Sequence, residues 1–131
     1  MDRESAIKQL VGIRAAVGAA AWIAPTLFGK PFGLRTEDNP QSPYVARLFG
    51  ARDVALAYGA KSTSGAEQDR WLTAALGCDI ADAAAGIAGW RGGYLSPLTC
   101  LLVTAPALHG VSLGLAALRG GSAPAPASAP A

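Results

Sequence analysis

LFGARDVALAYGA, residues 48–60, is apolar throughout except for Arg52 and Asp53 at its centre. How those two charges are housed decides the fold. Extended back to Tyr44, the run is long enough to cross a membrane as a helix. On insertion scales, however, a mid-helix Arg or Asp costs about 2.5–3.5 kcal/mol, while each Leu, Val or Phe returns only about 0.3–0.6 kcal/mol. Neighbouring residues on a helix point in different directions, so Arg52 and Asp53 are poorly placed to neutralise one another. The segment therefore needs charged partners on other helices.

Three further apolar segments surround it. LVGIRAAVGAAAWIAPTLF (10–28) carries Arg14, and WLTAALGCDIADAAAGIAGW (71–90) carries Asp79 and Asp82. Trp71 and Trp90 bracket the latter, as indole rings do at headgroup level. GGYLSPLTCLLVTAPALHGVSLGLAAL (92–118) contains no Asp, Glu, Lys or Arg. More than about 18 such residues read as a transmembrane helix, and Pro106 within it is tolerated where helices pack in lipid. The fold expected is all-α: a four-transmembrane-helix bundle with short loops, spans at about 10–28, 44–60, 71–90 and 95–118, and one integral membrane domain over 1–119.

The bulk composition agrees. Of 131 residues, 51% are hydrophobic and 15% charged, and mean hydropathy is +0.29; soluble domains carry about 25% charged residues. A net charge of +2 with no Lys/Arg cluster gives no nucleic-acid footprint. Cys78 and Cys100 have no metal or redox spacing and read as small side chains within apolar runs. GKPFGLRTEDNPQSP (29–43) and KSTSGAEQDR (61–70) are loop chemistry, with Ser64 to Glu67 fitting a capping box ahead of the third helix. GGSAPAPASAPA (120–131) is low-complexity and expected to be a disordered tail. Arg3 and Lys8 ahead of an Ala-rich run partly match a cleaved signal, but Arg14 interrupts it, so the first segment is expected to be a retained span. Arg3, Lys8, Lys61, Arg70 and Arg119 on one side, against Lys30, Arg35 and Arg91 on the other, favour both termini in the cytoplasm and a plasma (inner) membrane location.

Counting along the helices answers the question of Arg52 and Asp53. At a rise of 1.5 Å per residue, Arg52 and Asp53 lie roughly 14 and 12 Å from the inner end, Asp79 and Asp82 roughly 13 and 18 Å, His109 roughly 13 Å, and Arg14 roughly 6 Å. Ionisable groups from four segments thus fall in one layer, where intramembrane charges pair with one another. Asp79 and Asp82 share a helix face and suit Arg52 and Arg14. The two arginines and three aspartates leave one excess negative charge, so His109 is protonated there or a carboxyl holds a proton. Gly77, Ala81, Ala85 and Gly89 on the third span, with Gly110 and Gly114 on the fourth, form small-residue stripes for close packing between helices or between copies. Leu10-x-Gly12-x-Arg14 and Leu48-x-Gly50-x-Arg52 form a faint internal echo, of the kind seen in inverted repeats.

With Gly-x-Arg in the first span and Gly50-Ala51-Arg52-Asp53 in the second, residues 8–118 resemble small four-span bacterial membrane proteins of unknown function, distantly similar to DoxX-like proteins. The resemblance implies a compact integral membrane protein and no established activity. Small multidrug exporters also have four short spans but place a carboxylate in the first, where this chain has Arg14. The leading functional reading is a structural or interaction subunit held by an intramembrane Arg/Asp network. The alternatives are proton or small-solute transport through Asp79, Asp82 and His109, and an enzyme acting on a lipid or quinone-like molecule through an Asp–His pair. A soluble helical bundle is the remaining possibility. No cofactor, metal or catalytic residue is expected; the partners expected are the lipid bilayer and either a second copy or another membrane protein.

Overall fold

Asp2 opens the first helix. Its carboxylate accepts the Ser5 backbone N–H at 2.9 Å and the Ser5 hydroxyl at 2.8 Å, and these bonds hold its pKa below the ordinary value. The computed structural model describes residues 1–120, so the expected tail lies, from residue 121 onward, outside the described residues. The helices are α1 (Arg3–Ile23), α2 (Pro25–Gly29), α3 (Ser42–Ser62), α4 (Gly65–Arg91) and α5 (Pro97–Arg119), with a 3-10 turn at Lys30–Phe32. Among the described residues there is no strand, and the chain is all-helical.

Two boundaries depart from expectation. The segment 10–28 is not one helix: the chain leaves helical geometry at Ala24 (φ −130°, ψ 60°) and restarts at Pro25. Proline lacks the N–H that would continue the ladder and pushes its predecessor out of the α region. Pro106, by contrast, stays inside an unbroken α5. Ser64 does precede α4, but its side chain makes no cap hydrogen bond, and Gly65 follows with φ +58°, so the expected capping box is not formed.

The four long helices run up, down, up and down. α1 packs on α3 and α5, and α4 packs on α3 and α5, closing a ring. Three of them, α1, α4 and α5, are long and apolar enough to cross a membrane; α3 carries Arg47, Arg52, Asp53 and Lys61. What lies inside is small: Ala6, Ala21, Ala57, Ala60, Ala75, Ala83, Ala107 and Ala117 are buried, with Leu10, Leu56, Leu72 and Leu113 as the larger fillers. What lies outside is large and apolar, including Ile13, Trp22, Val45, Leu48, Ile80, Ile87, Leu101 and Leu108. A domain folded by water would invert that distribution.

Close approach is concentrated where α1 crosses α3. A Cβ placed on Gly18 would stand 2.8 Å from the Gly50 carbonyl oxygen, and one on Gly50 would stand 2.6 Å from the Gly18 carbonyl oxygen. The echo of Gly12 in Gly50 therefore has no structural counterpart: Gly12 faces open space, and Leu10 is buried where Leu48 is exposed. Gly77, Ala81 and Ala85 are exposed on the outside of α4, so of the two packings expected of this stripe they do not serve the one between helices of the same bundle. The last member of the stripe, Gly89, is half-buried against Leu95. The inward face of α4 is Leu72, Ala75, Asp79, Ala83 and Gly86, which follows the three-and-four alternation of a helix rather than a strict fourfold step. On α5, Gly110 does take Asp79 against it and Gly114 takes Leu76. Trp71, expected at a headgroup belt, is half-buried and stacks over Gly59, whereas Trp90 is exposed.

Candidate functional site: a buried arginine–aspartate cluster

The cluster is built from mid-helix positions on three elements. Arg14 sits on the inward face of α1, one turn below the Gly18–Gly50 crossing, so its guanidinium emerges where α1, α3 and α4 converge. It is 5% exposed. Its Nη1 donates to Asp53 Oδ1 of α3 at 2.9 Å. Its Nη2 donates to Asp79 Oδ2 of α4 at 2.6 Å and to the Ala75 carbonyl at 3.1 Å. One rigid fork thereby ties three helices, a task suited to a planar guanidinium and not to a point-charge ammonium. Arg14 Nε is the one buried side-chain polar atom without a partner among the described residues.

Arg52 extends the cluster toward the outside of the α3–α4 seam. Its Nη1 and Nη2 donate to the two carboxylate oxygens of Asp82 at 2.9 and 2.7 Å, a bidentate pair. Its Nε and Nη2 also reach Asp53 Oδ1 at 3.3 and 3.1 Å. Adjacent residues do meet here, contrary to expectation, because the long Arg52 side chain folds back along its own helix. Arg52 stacks over Phe49, with Cζ 4.6 Å from the ring centre. Arg52 and Asp82 are half-buried, with side chains 32% and 30% exposed. Arg47 stands apart, exposed, its Nε donating to the Trp22 carbonyl at 3.2 Å.

Five of the six residues expected in a polar layer are thus joined: Arg14, Arg52, Asp53, Asp79 and Asp82. His109 is not among them. It is exposed on the outside of α5, while its neighbour Gly110 faces Asp79. Among the described residues no hydrogen bond or ion pair joins the His109 ring to an aspartate, so the Asp–His pair of the enzyme reading is not assembled. Two cations against three carboxylates leave one negative charge in excess within the cluster. Asp79 receives Arg14 alone, whereas Asp53 receives both arginines and Asp82 a bidentate Arg52; Asp79 is therefore the carboxylate with least compensation.

Two participants carry no ionisable signal. The Ala75 carbonyl is backbone, so no sequence pattern announces it. Phe49 precedes Arg52 by three positions, a spacing that places it on the same helix face. Cys78 and Cys100 are half-buried free thiols, and Cys100 Sγ lies 3.9 Å from the Thr104 hydroxyl. No group of residues fit to hold a metal ion occurs among the described residues. No family model, curated protein or solved structure matches the chain.

Proposed function

We propose that the chain is a four-span integral membrane protein that serves as a structural or interaction subunit, its helices held in register by the Arg14 cluster. The observation that carries this is the Arg14 guanidinium, buried and bonded to Asp53 and Asp79 on two other helices. Charge inside and large apolar side chains outside suit a lipid solvent. In this arrangement α3 is the fourth span. Arg52 turns toward Asp82 of α4 and Asp53 toward Arg14 of α1, so both are paired inside the bundle and the outer face of α3 presents Val45, Leu48, Val54 and Tyr58 to hydrocarbon. The likeness of Gly50-Ala51-Arg52-Asp53 to DoxX-like membrane proteins fits the same reading. The small residues Gly77, Ala81 and Ala85, exposed on α4, leave room for a helix of another protein or of a second copy.

Parity tests the span count. An even number of crossings puts both termini on one side, whereas α3 lying in the interface would leave three crossings and termini on opposite sides. Reporters fused to each end of the full chain should both read cytoplasmic, and the protein should stay with membranes through an alkaline carbonate wash. Termini on opposite sides, or release into the wash, contradict the proposal.

The unbalanced carboxylate supports a second reading, proton handling at Asp79. With His109 facing away, that reading lacks a relay partner and rests on Asp79 alone.

A further inference from the structure

At the end of the molecule that holds the N-terminus, Ala6 and Leu10 of α1 share one buried cluster with Leu56 and Ala60 of α3. Below their crossing lies a cleft of about 620 Å³ between α1, the last turn of α3 and the first turn of α4. Its wall is apolar where it runs into the helix layer, at Ile7, Val11, Gly12 and Ala60, and charged at its mouth, at Arg3, Glu4, Lys8 and Lys61. A Cβ placed on Gly12 meets nothing within 4 Å, so the apolar part is open. Arg3 is committed to the fold, bonding the Ala117 carbonyl at 2.6 Å, Gln68 at 3.1 Å and Asp69 at 2.7 Å. Lys8 is exposed and shares its charge only with Glu4, and Lys61 has no ion pair among the described residues. From Lys8 to Gly12 the cleft descends about 6 Å along the helix, from headgroup level to the first methylenes of a lipid chain.

We propose that this cleft is a binding site for an anionic phospholipid, its phosphate held by Lys8 and Lys61 and an acyl chain laid against Ile7, Val11 and Gly12. The juxtaposition of the unpaired Lys61, and of Lys8 held by Glu4 at 2.7 Å, with an open apolar trough matches an amphipathic anion, and basic pockets between helices on the cytoplasmic side bind such headgroups. The site depends on the membrane-spanning reading, because the mouth must stand at a bilayer surface.

The test uses the full chain in a zwitterionic detergent, offered phosphatidylglycerol and phosphatidylcholine of identical acyl chains, with retained lipid read by native mass spectrometry. One phosphatidylglycerol per chain is expected, preferred roughly fivefold, the effect of one unpaired lysine beside an anionic headgroup. K8Q/K61Q should erase that preference. Gly12→Leu should abolish retention by filling the trough, with helical circular dichroism unchanged for both variants. Equal retention of the two lipids, unaltered preference in both variants, displacement by free glycerol phosphate at equal concentration, or a cleft filled by a second copy in a dimer overturns the site. Reconstitution separates the two levels. A chain that does not enter phosphatidylcholine vesicles overturns both the site and the membrane reading; one that enters them and shows no headgroup preference overturns the site alone.

Discussion

Arg14→Ala is expected to destabilise the protein by about 3–5 kcal/mol, the usual cost of removing one member of a buried ion pair and leaving its partner uncompensated. The loss exceeds the sum of the hydrogen bonds removed. Asp79 has Arg14 as its one charged hydrogen-bond partner and would be left as a buried, unpaired carboxylate, and Asp53 would keep only Arg52. Arg14→Lys should recover little, because a single ammonium cannot span Asp53, Asp79 and the Ala75 carbonyl at once. Arg47→Ala removes an exposed side chain with one backbone contact and should change stability by no more than about 0.5 kcal/mol. Denaturant unfolding of the full chain in detergent measures all three. Arg14→Ala unfolding together with Arg47→Ala would contradict the assignment.

Gly50→Val carries the second large effect, about 3 kcal/mol, at the upper end of over-packing costs. The atoms a Cβ would meet are the Gly18 carbonyl oxygen at 2.6 Å and the Trp22 backbone nitrogen at 3.1 Å. Backbone cannot rotate aside, so α1 and α3 must separate. Separation also draws Arg14 from Asp53, which lie one turn below the crossing on their respective helices, so packing and charge pairing fail together. Gly77→Val, on the open face of α4, should stay within about 0.5 kcal/mol of the parent by the same unfolding measurement. Equal losses at Gly50 and Gly77 would show that the crossing is not where the helices are held.

The contrast between these two glycines illustrates what the sequence could and could not convey. Counting residues along a helix fixes height, and height brought Arg52, Asp53, Asp79 and Asp82 to similar levels, with the lower Arg14 joining them through its long side chain. Height says nothing of direction around the axis. His109 has the right height and the wrong side, because Gly110, one residue on, is the position that faces Asp79. In a chain so rich in alanine and glycine, fourfold stripes occur on every face, which is why Gly77, Ala81 and Ala85 proved to be exterior and Gly18, Gly50 and Gly86 interior. The long side chain of Arg52 likewise overrode the rule that adjacent residues do not meet. The break at Ala24 was written in Pro25, yet Pro106 shows that the same residue can be carried within a continuous helix.

A charge-pair requirement at the centre of the bundle is tested most directly by a double-mutant cycle on the full chain, comparing Arg14→Met, Asp79→Asn and the two combined by unfolding free energy. If Arg14 exists there to compensate a buried carboxylate, the double variant should be more stable than Arg14→Met alone, with a coupling of about 2–3 kcal/mol. Strict additivity, with coupling inside about 0.5 kcal/mol, would mean that the two side chains do not depend on one another.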